Sequence, residues 1–345
     1  MRSLILQGQS GLTEIELSIP EPGPNEVLIA TQISALCGSE LKIYRGAGME
    51  SGNSGHEGAG IIAKLGPEVT DLEEGQRVGV SAIGGCGQCS YCTKGQYTYC
   101  LGHTQSGSMH AEYFVAPANA CHPLPDDLSW EVGLLISGDG FGVPYHTSTK
   151  LKNEPIESLA IFGMGPIGLG NTLLQTYLGR QVIAVDLVPK RLELAREMGA
   201  AHTIQPSDDL DPVEAIRELT GGRGADICLE AAGHPQSAQQ CFAAVRTAGT
   251  VVFNGEQPAV QLSPSADFIR RDITALGSWY YHFSQFSDML GLYRNGLDIE
   301  RLITHRFPFA EAATAFDLMA AGETGKVVLE IGNEPDQPSL DLRRD

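Results

Sequence analysis

The most constraining stretch of this 345-residue chain is Ile161-Phe162-Gly163-Met164-Gly165-Pro166-Ile167-Gly168. It is a G-x-G-x-x-G between an apolar strand, Ser158–Phe162, and a helix predicted over Pro166–Tyr177. In that setting the first glycine permits a tight turn, the second lets the backbone approach a pyrophosphate, and the third lets the helix pack close to the strand. The helix N-terminus then offers free N–H groups and positive potential to phosphates. Gly163, Gly165, Pro166, Ile167 and Gly168 are therefore candidate dinucleotide contacts. Asp186 ends the next strand, Gln181–Val185, eighteen residues after Gly168. A carboxylate there accepts hydrogen bonds from ribose hydroxyls and repels a 2′-phosphate, so NAD is expected rather than NADP. Lys190 and Arg191 follow closely. Arg191 is a further candidate contact, and its charge leaves some use of NADP open. A helix over Pro189–Met198 and strands over Ala225–Leu229 and Thr250–Phe253 continue the alternation, which implies an α/β, doubly wound parallel sheet.

The chain before about Leu151 has another texture. It is rich in glycine, with short apolar runs between turn signals and strands at Val27–Ile33 and Gly60–Lys64, which predicts a β-rich domain. After His282, helical stretches near Phe283–Arg294 and Ala310–Met319 lead to a closing strand, Lys326–Ile331, expected to rejoin that first domain. The expected division is 1–148, 149–284 and 285–345, with the polar tail Asn333–Asp345 disordered. A net charge of −19 and a pI near 4.8 argue against nucleic acid as a partner, because phosphate binding needs a basic face. No apolar run reaches the roughly 18–20 residues of a membrane span. The opening residues carry Glu14 and Glu16 and no cleavage site, so a cytoplasmic protein without a membrane partner is expected.

Four of the eight cysteines, Cys86, Cys89, Cys92 and Cys100, follow the spacing C-x2-C-x2-C-x7-C. In a cytosolic chain such a cluster points to metal rather than disulfides. Four thiolates close a tetrahedral shell around zinc, which makes the site structural and the segment about 84–102 a zinc lobe. An iron–sulfur cluster and redox cysteines are the alternatives. Other ligand types lie apart: Cys37 in Cys37-Gly38-Ser39-Glu40, His56 and Glu57 in Gly55-His56-Glu57-Gly58, and Asp139 in Gly138-Asp139-Gly140. A thiolate, an imidazole and a carboxylate suit zinc and leave a fourth position for water or substrate.

The order of these motifs, with Gly325-Lys326-Val327-Val328 near the end, resembles the zinc-containing medium-chain dehydrogenases over about Pro20 to Gly332. The branch it is most similar to is that of threonine, sorbitol and other polyol dehydrogenases. Asp139–Thr147 is similar to an acidic-x-x-Gly-Asn-Ala-x-His-Thr stretch of threonine dehydrogenases, which would put Asp139 at an acidic zinc position. The resemblance implies a GroES-like β-rich catalytic domain plus a Rossmann domain, two zincs per chain, NAD, a homodimer or homotetramer, and hydride transfer between NAD and a secondary alcohol such as a polyol, sugar or amino alcohol. Cys37, Ser39, His56, Glu57 and Asp139 are then the expected catalytic set. Ser39 is either the first proton acceptor or a hydroxyl capping a turn. Glu57 is a ligand or a carboxylate that moves on and off the metal. Glu40 orients His56 or nearby backbone. The sequence departs from the family in having Glu40 for Asp, Lys42 where many members carry a relaying His, and no Asn in Asp139–Thr147.

The loop from Leu101 to His110 and the run Trp279-Tyr280-Tyr281-His282 are candidate pocket walls, with core packing as the alternative for the aromatics. Cys121, Cys228 and Cys241 are read as packing residues. Two rival functions stay open: a zinc-free NADPH reductase of the same superfamily, and a non-catalytic nucleotide-binding protein.

Overall fold

The computed structural model describes residues 1–151 and 155–332. The tail Asn333–Asp345 lies outside these residues. Six parallel strands form one sheet in the order His202–Ile204, Gln181–Val185, Ser158–Phe162, Ala225–Glu230, Val245–Phe253 and Thr274–Gly277. The chain starts in the middle, builds to one side, then returns past its first strand to build the other. That reversal leaves a crevice beyond the carboxyl end of Ser158–Phe162, where ligands of such sheets bind. Every residue of this central strand is buried, as a parallel strand covered on both faces requires.

A second, seven-stranded sheet runs Ile303–Pro308, Lys326–Glu330, Glu26–Leu36, Gly58–Leu65, Arg77–Val80, Cys121–Pro123, with Tyr113–Pro117 also paired to Glu26–Leu36. The last strand of the chain therefore lies against the first long one, with Val328 opposite Ala35. Burial alternates in Tyr113–Pro117, the pattern of a strand with one solvated face.

Two helices, Trp130–Ser137 and Asp139–Lys150, go beyond the β-rich texture read from the first 145 residues. The second contains Gly140, Gly142 and Pro144, poor helix formers by propensity. Packing explains it. A Cβ at Gly142 would come within 2.4 Å of the Tyr281 ring, and one at Gly170 within 2.5 Å of the Gly140 carbonyl. Small residues let this helix lie against both the nucleotide-side helix and the crossing segment, and tertiary contact overrides propensity.

The four-cysteine lobe is pinned to the segment that leaves the parallel sheet. Ser284 N donates to Gly95 O at 3.1 Å, Tyr97 stacks on Phe283 at 5.1 Å, and His282 Nδ1 meets Thr98 Oγ1 at 2.9 Å. His122 lies flat against Phe283 and Phe286, at 3.9 and 4.2 Å. Burial holds that imidazole down to about 3, so it is neutral inside this stack. No helix among the described residues is long and apolar enough to cross a membrane.

Candidate active site

Antiparallel pairing of Glu26–Leu36 with Gly58–Leu65 puts Ser34 opposite Gly58. Cys37, just past one strand, and His56-Glu57, just before the other, are thereby brought to the same end of the sheet. Asp139 is supplied by the first turn of its helix. The structure brings Cys37, His56, Glu57 and Asp139 together, with one ligand atom of each within 4.8 Å of all the others. His56 Nε2 faces Asp139 Oδ2 at 3.4 Å, while its Nδ1 is tied to Ser54 O at 2.9 Å. A ring whose Nδ1–H is so engaged presents the Nε2 lone pair. Burial alone would lower the basicity of His56; the Cys37 sulfur and the Asp139 carboxylate more than reverse this. The same negative field favours a divalent cation, so the donor set fits zinc in chemistry and in reach.

Glu57 is fully buried. Its Oε1 is ion-paired with the Lys326 ammonium and its Oε2 accepts from Gly140 N at 3.3 Å. Lys326 is equally buried and also donates to Leu36 O at 3.3 Å. Burial works against its charge, and Glu57 first, then Cys37, push its pKa above the ordinary lysine range. Glu57 thus has its charge balanced by the chain itself. Lys326 was quoted above only as part of a motif, with no role. A single charge heading the apolar strand Lys-Val-Val-Leu was the signal that it needed a buried partner.

Glu40 is buried too, but it does not reach His56 directly. Its Oε2 accepts from Cys37 N at 2.7 Å, and its Oε1 takes Ser54 Oγ at 3.1 Å and His110 Nε2 at 3.0 Å. Ser54 in turn holds His56 through its carbonyl, so one carboxylate orients both ligand segments. Burial would raise the Glu40 carboxyl, but His110 more than offsets it and holds the group down to about 2. His110, read as a pocket candidate, is instead fully buried between Glu40 and Ser34 Oγ, the latter at 2.9 Å. Ser39 Oγ donates to Cys37 Sγ at 3.3 Å. Lys42 is exposed on the next turn.

The aromatic run divides. Tyr281 is core: its hydroxyl donates to Ser137 O at 2.8 Å and meets His122 Nε2 at 3.1 Å. Tyr280 instead turns to the ligand set, its ring edge-on to His56 at 6.4 Å. Burial, then the negative charge of Asp139, push its phenol up.

The four lobe sulfurs also converge within 4.8 Å. Backbone N–H groups of Gln88 and Cys89 hold the Cys86 thiol down to about 6, while burial pushes Cys92 up to about 12. Four converging thiols in a half-exposed loop form a donor set that fits a shared zinc ion. Cys121, Cys228 and Cys241 are buried in the core.

In the parallel sheet, Gly163 takes φ +95, and Gly168 sits so close that a Cβ there would fall 1.8 Å from the Gly163 carbonyl. A Cβ at Gly165 would meet nothing within 4 Å, which is the vacancy a pyrophosphate needs. Asp186 accepts Met164 N at 2.6 Å and Val188 N at 2.8 Å. Two of its four lone-pair positions remain for ribose. Arg191 lies 3.9 Å from it. These differences predict opposite outcomes. Gly165→Val should leave the melting temperature nearly unchanged and weaken NADH binding, followed by fluorescence titration, by at least ~10-fold. Gly168→Ala should cost about 1–3 kcal/mol of stability.

Residues 23–126 match the alcohol dehydrogenase GroES-like domain and residues 166–295 the zinc-binding dehydrogenase domain. The chain is 32% identical to L-threonine 3-dehydrogenase of Chromobacterium violaceum over 338 residues, covering 94% of this chain and 98% of that one. The chain belongs to the zinc-binding dehydrogenases. Among solved members, galactitol-1-phosphate dehydrogenase from Escherichia coli is 28% identical with a TM-score of 0.83, covering 96% of this chain and 100% of that one. An alcohol dehydrogenase from Escherichia coli CFT073, solved with NADH, is 26% identical with a TM-score of 0.83, covering 96% and 99%. As a zinc-binding dehydrogenase this protein is an oxidoreductase, built from a GroES-like part and a parallel-sheet Rossmann part.

Proposed function

We propose that this dehydrogenase oxidises a secondary alcohol of the polyol, sugar or amino-alcohol class with NAD, using Cys37, His56 and Asp139 as the ligands of a catalytic zinc. The observation that carries the reading is the meeting of four ligand atoms from three distant segments within 4.8 Å. They meet at the first turn of a helix that packs directly on the nucleotide-side helix, at Gly140 and Gly170. When bound, zinc acidifies the alcohol hydroxyl and NAD accepts the hydride. Ser39, beside the Cys37 sulfur, would accept the hydroxyl proton while releasing its own to solvent water, and the carbinol carbon would pass its hydrogen with the C–H electron pair to NAD as it becomes a carbonyl. Glu57, neutralised by Lys326, sets the charge behind the ligands. Gly163 to Gly168, with Asp186 and Arg191, hold the dinucleotide. Cys86, Cys89, Cys92 and Cys100 hold a second, structural zinc. The protein is divided into 1–148, 149–284 and 285–345, as the change in sequence texture suggests, and acts in the cytoplasm, with a homodimer or homotetramer as the family resemblance implies.

The relatives' names support the substrate class: one acts on threonine and one on galactitol 1-phosphate. The zinc-free and non-catalytic alternatives have no use for the converging ligands. The test is NADH formation across polyols, sugars, threonine and simple secondary alcohols, with and without a zinc chelator, alongside zinc content. Chelator-sensitive turnover with two zincs per chain is expected. Chelator-resistant turnover, or one zinc and no turnover, would overturn the reading.

A further inference from the structure

Tyr280 and Tyr281 are neighbours with opposite fates. The Tyr281 hydroxyl is fully engaged inside the core. The Tyr280 hydroxyl has no hydrogen-bond partner among the described residues, although its side chain is partly buried beside His56. Tyr280 also takes φ +49, a left-handed conformation that a bulky residue keeps only where its surroundings impose it. Those surroundings are aromatic. Trp279 packs edge-on to Tyr280 at 4.5 Å, and His103 packs edge-on to Trp279 at 5.8 Å. The phenol is thus braced from behind and left with an unused donor and acceptor at the edge of the ligand set.

The charges nearby decide what such a wall can recognise. Lys326 is spent on Glu57 and His110 on Glu40. Asp139 and Glu57 are the acids at the set itself. A carboxylate or phosphate on the substrate would find the buried Lys326 ammonium already committed to Glu57. A hydroxyl would meet a phenol able to donate or accept.

We propose that Tyr280 is a specificity-determining residue whose phenol binds a second hydroxyl of a neutral polyol, next to the carbon being oxidised. This rests on the dehydrogenase reading above and narrows it to neutral, hydroxyl-rich substrates.

The test pairs butane-2,3-diol with butan-2-ol, which differ by one hydroxyl, and adds threonine as the charged competitor. The wild-type enzyme is expected to favour the diol by about tenfold or more in kcat/KM, the scale of one lost hydrogen bond in a site built for it. Tyr280→Phe should lower kcat/KM for the diol by about tenfold, a larger loss than for butan-2-ol, so that the two substrates converge while zinc content is retained. Tyr280→Asn, with a side chain that tolerates left-handed backbone, should lose the diol preference while keeping its melting temperature. A readout without turnover runs in parallel. With NADH bound, the diol should raise the wild-type melting temperature more than butan-2-ol does, and Tyr280→Phe should erase the difference. A preserved diol preference in Tyr280→Phe, or a wild-type preference for threonine, would overturn the role of Tyr280 and leave the dehydrogenase reading intact. Failure of the wild-type enzyme to oxidise any of the three, with two zincs bound, would count against that reading, and the role of Tyr280 would fall with it.

Discussion

Cys37→Ser is expected to lower turnover by roughly 10³-fold or more, since a Lewis-acid site supplies several kcal/mol of transition-state stabilisation. The fold should survive. Cys37 sits at a strand end, and its backbone N–H, which serine retains, carries the bond to Glu40 at 2.7 Å. Melting temperature and NADH affinity should therefore stay close to wild type, while zinc content drops by one. Cys89→Ser provides the contrast. Its sulfur belongs to the lobe, 3.5 Å from Cys92, and the lobe is held to Phe283 and Ser284 rather than to the reacting groups. That change should also remove one zinc, but the loss should show first as a lower melting temperature. An active Cys37→Ser enzyme would remove the catalytic role from this cluster.

Lys326→Met should destabilise the chain by about 3–5 kcal/mol, the usual cost of stranding one member of a buried ion pair. Glu57 would keep only the Gly140 N–H and would have to protonate or admit water. Adding Glu57→Gln should restore much of the loss, because a neutral amide no longer needs the ammonium. Equilibrium urea unfolding of the two single variants and the double variant measures the coupling directly. If the double variant is no more stable than Lys326→Met alone, the pair is not what holds this corner together. The activity of the double variant is informative as well. Turnover near wild type would show that Glu57 is dispensable as a ligand.

The nucleotide half was legible because its signals are local. A glycine fingerprint between a strand and a helix, and an acid at the end of the next strand, are fixed by backbone geometry within thirty residues. The four-cysteine spacing was legible for the same reason. The candidate ligands Cys37, His56 and Asp139, and Glu57 beside them, were readable as chemical types, and the strand register that gathers them is a tertiary fact. What the sequence did not reveal depends on distant partners. Lys326 reads as an ordinary strand-leading lysine until Glu57 is placed beside it. His110 reads as a loop histidine until Glu40, one methylene longer than aspartate, reaches it. The helix from Asp139 to Lys150 runs against its own propensity and exists because Gly140, Gly142 and Gly170 allow close approach. Tyr280 and Tyr281 are chemically identical in the sequence, and only the backbone at φ +49 separates a core residue from one facing the ligand set.

The strands Ile303–Pro308 and Lys326–Glu330 complete a sheet begun by Glu26–Leu36, and this sets an order of events during synthesis. The six parallel strands are all translated by Gly277 and can close on themselves while the ribosome is still working. The earlier half cannot. Until residues 303–330 emerge, the Ile33–Leu36 part of the edge of Glu26–Leu36 is open and Glu57 has no ammonium to face. The segment made first is thus the last to mature, held as an unfinished template while the centre of the chain folds. A chain that stops short of Lys326 would carry a finished parallel sheet beside a buried Glu57 carboxylate stranded without its partner.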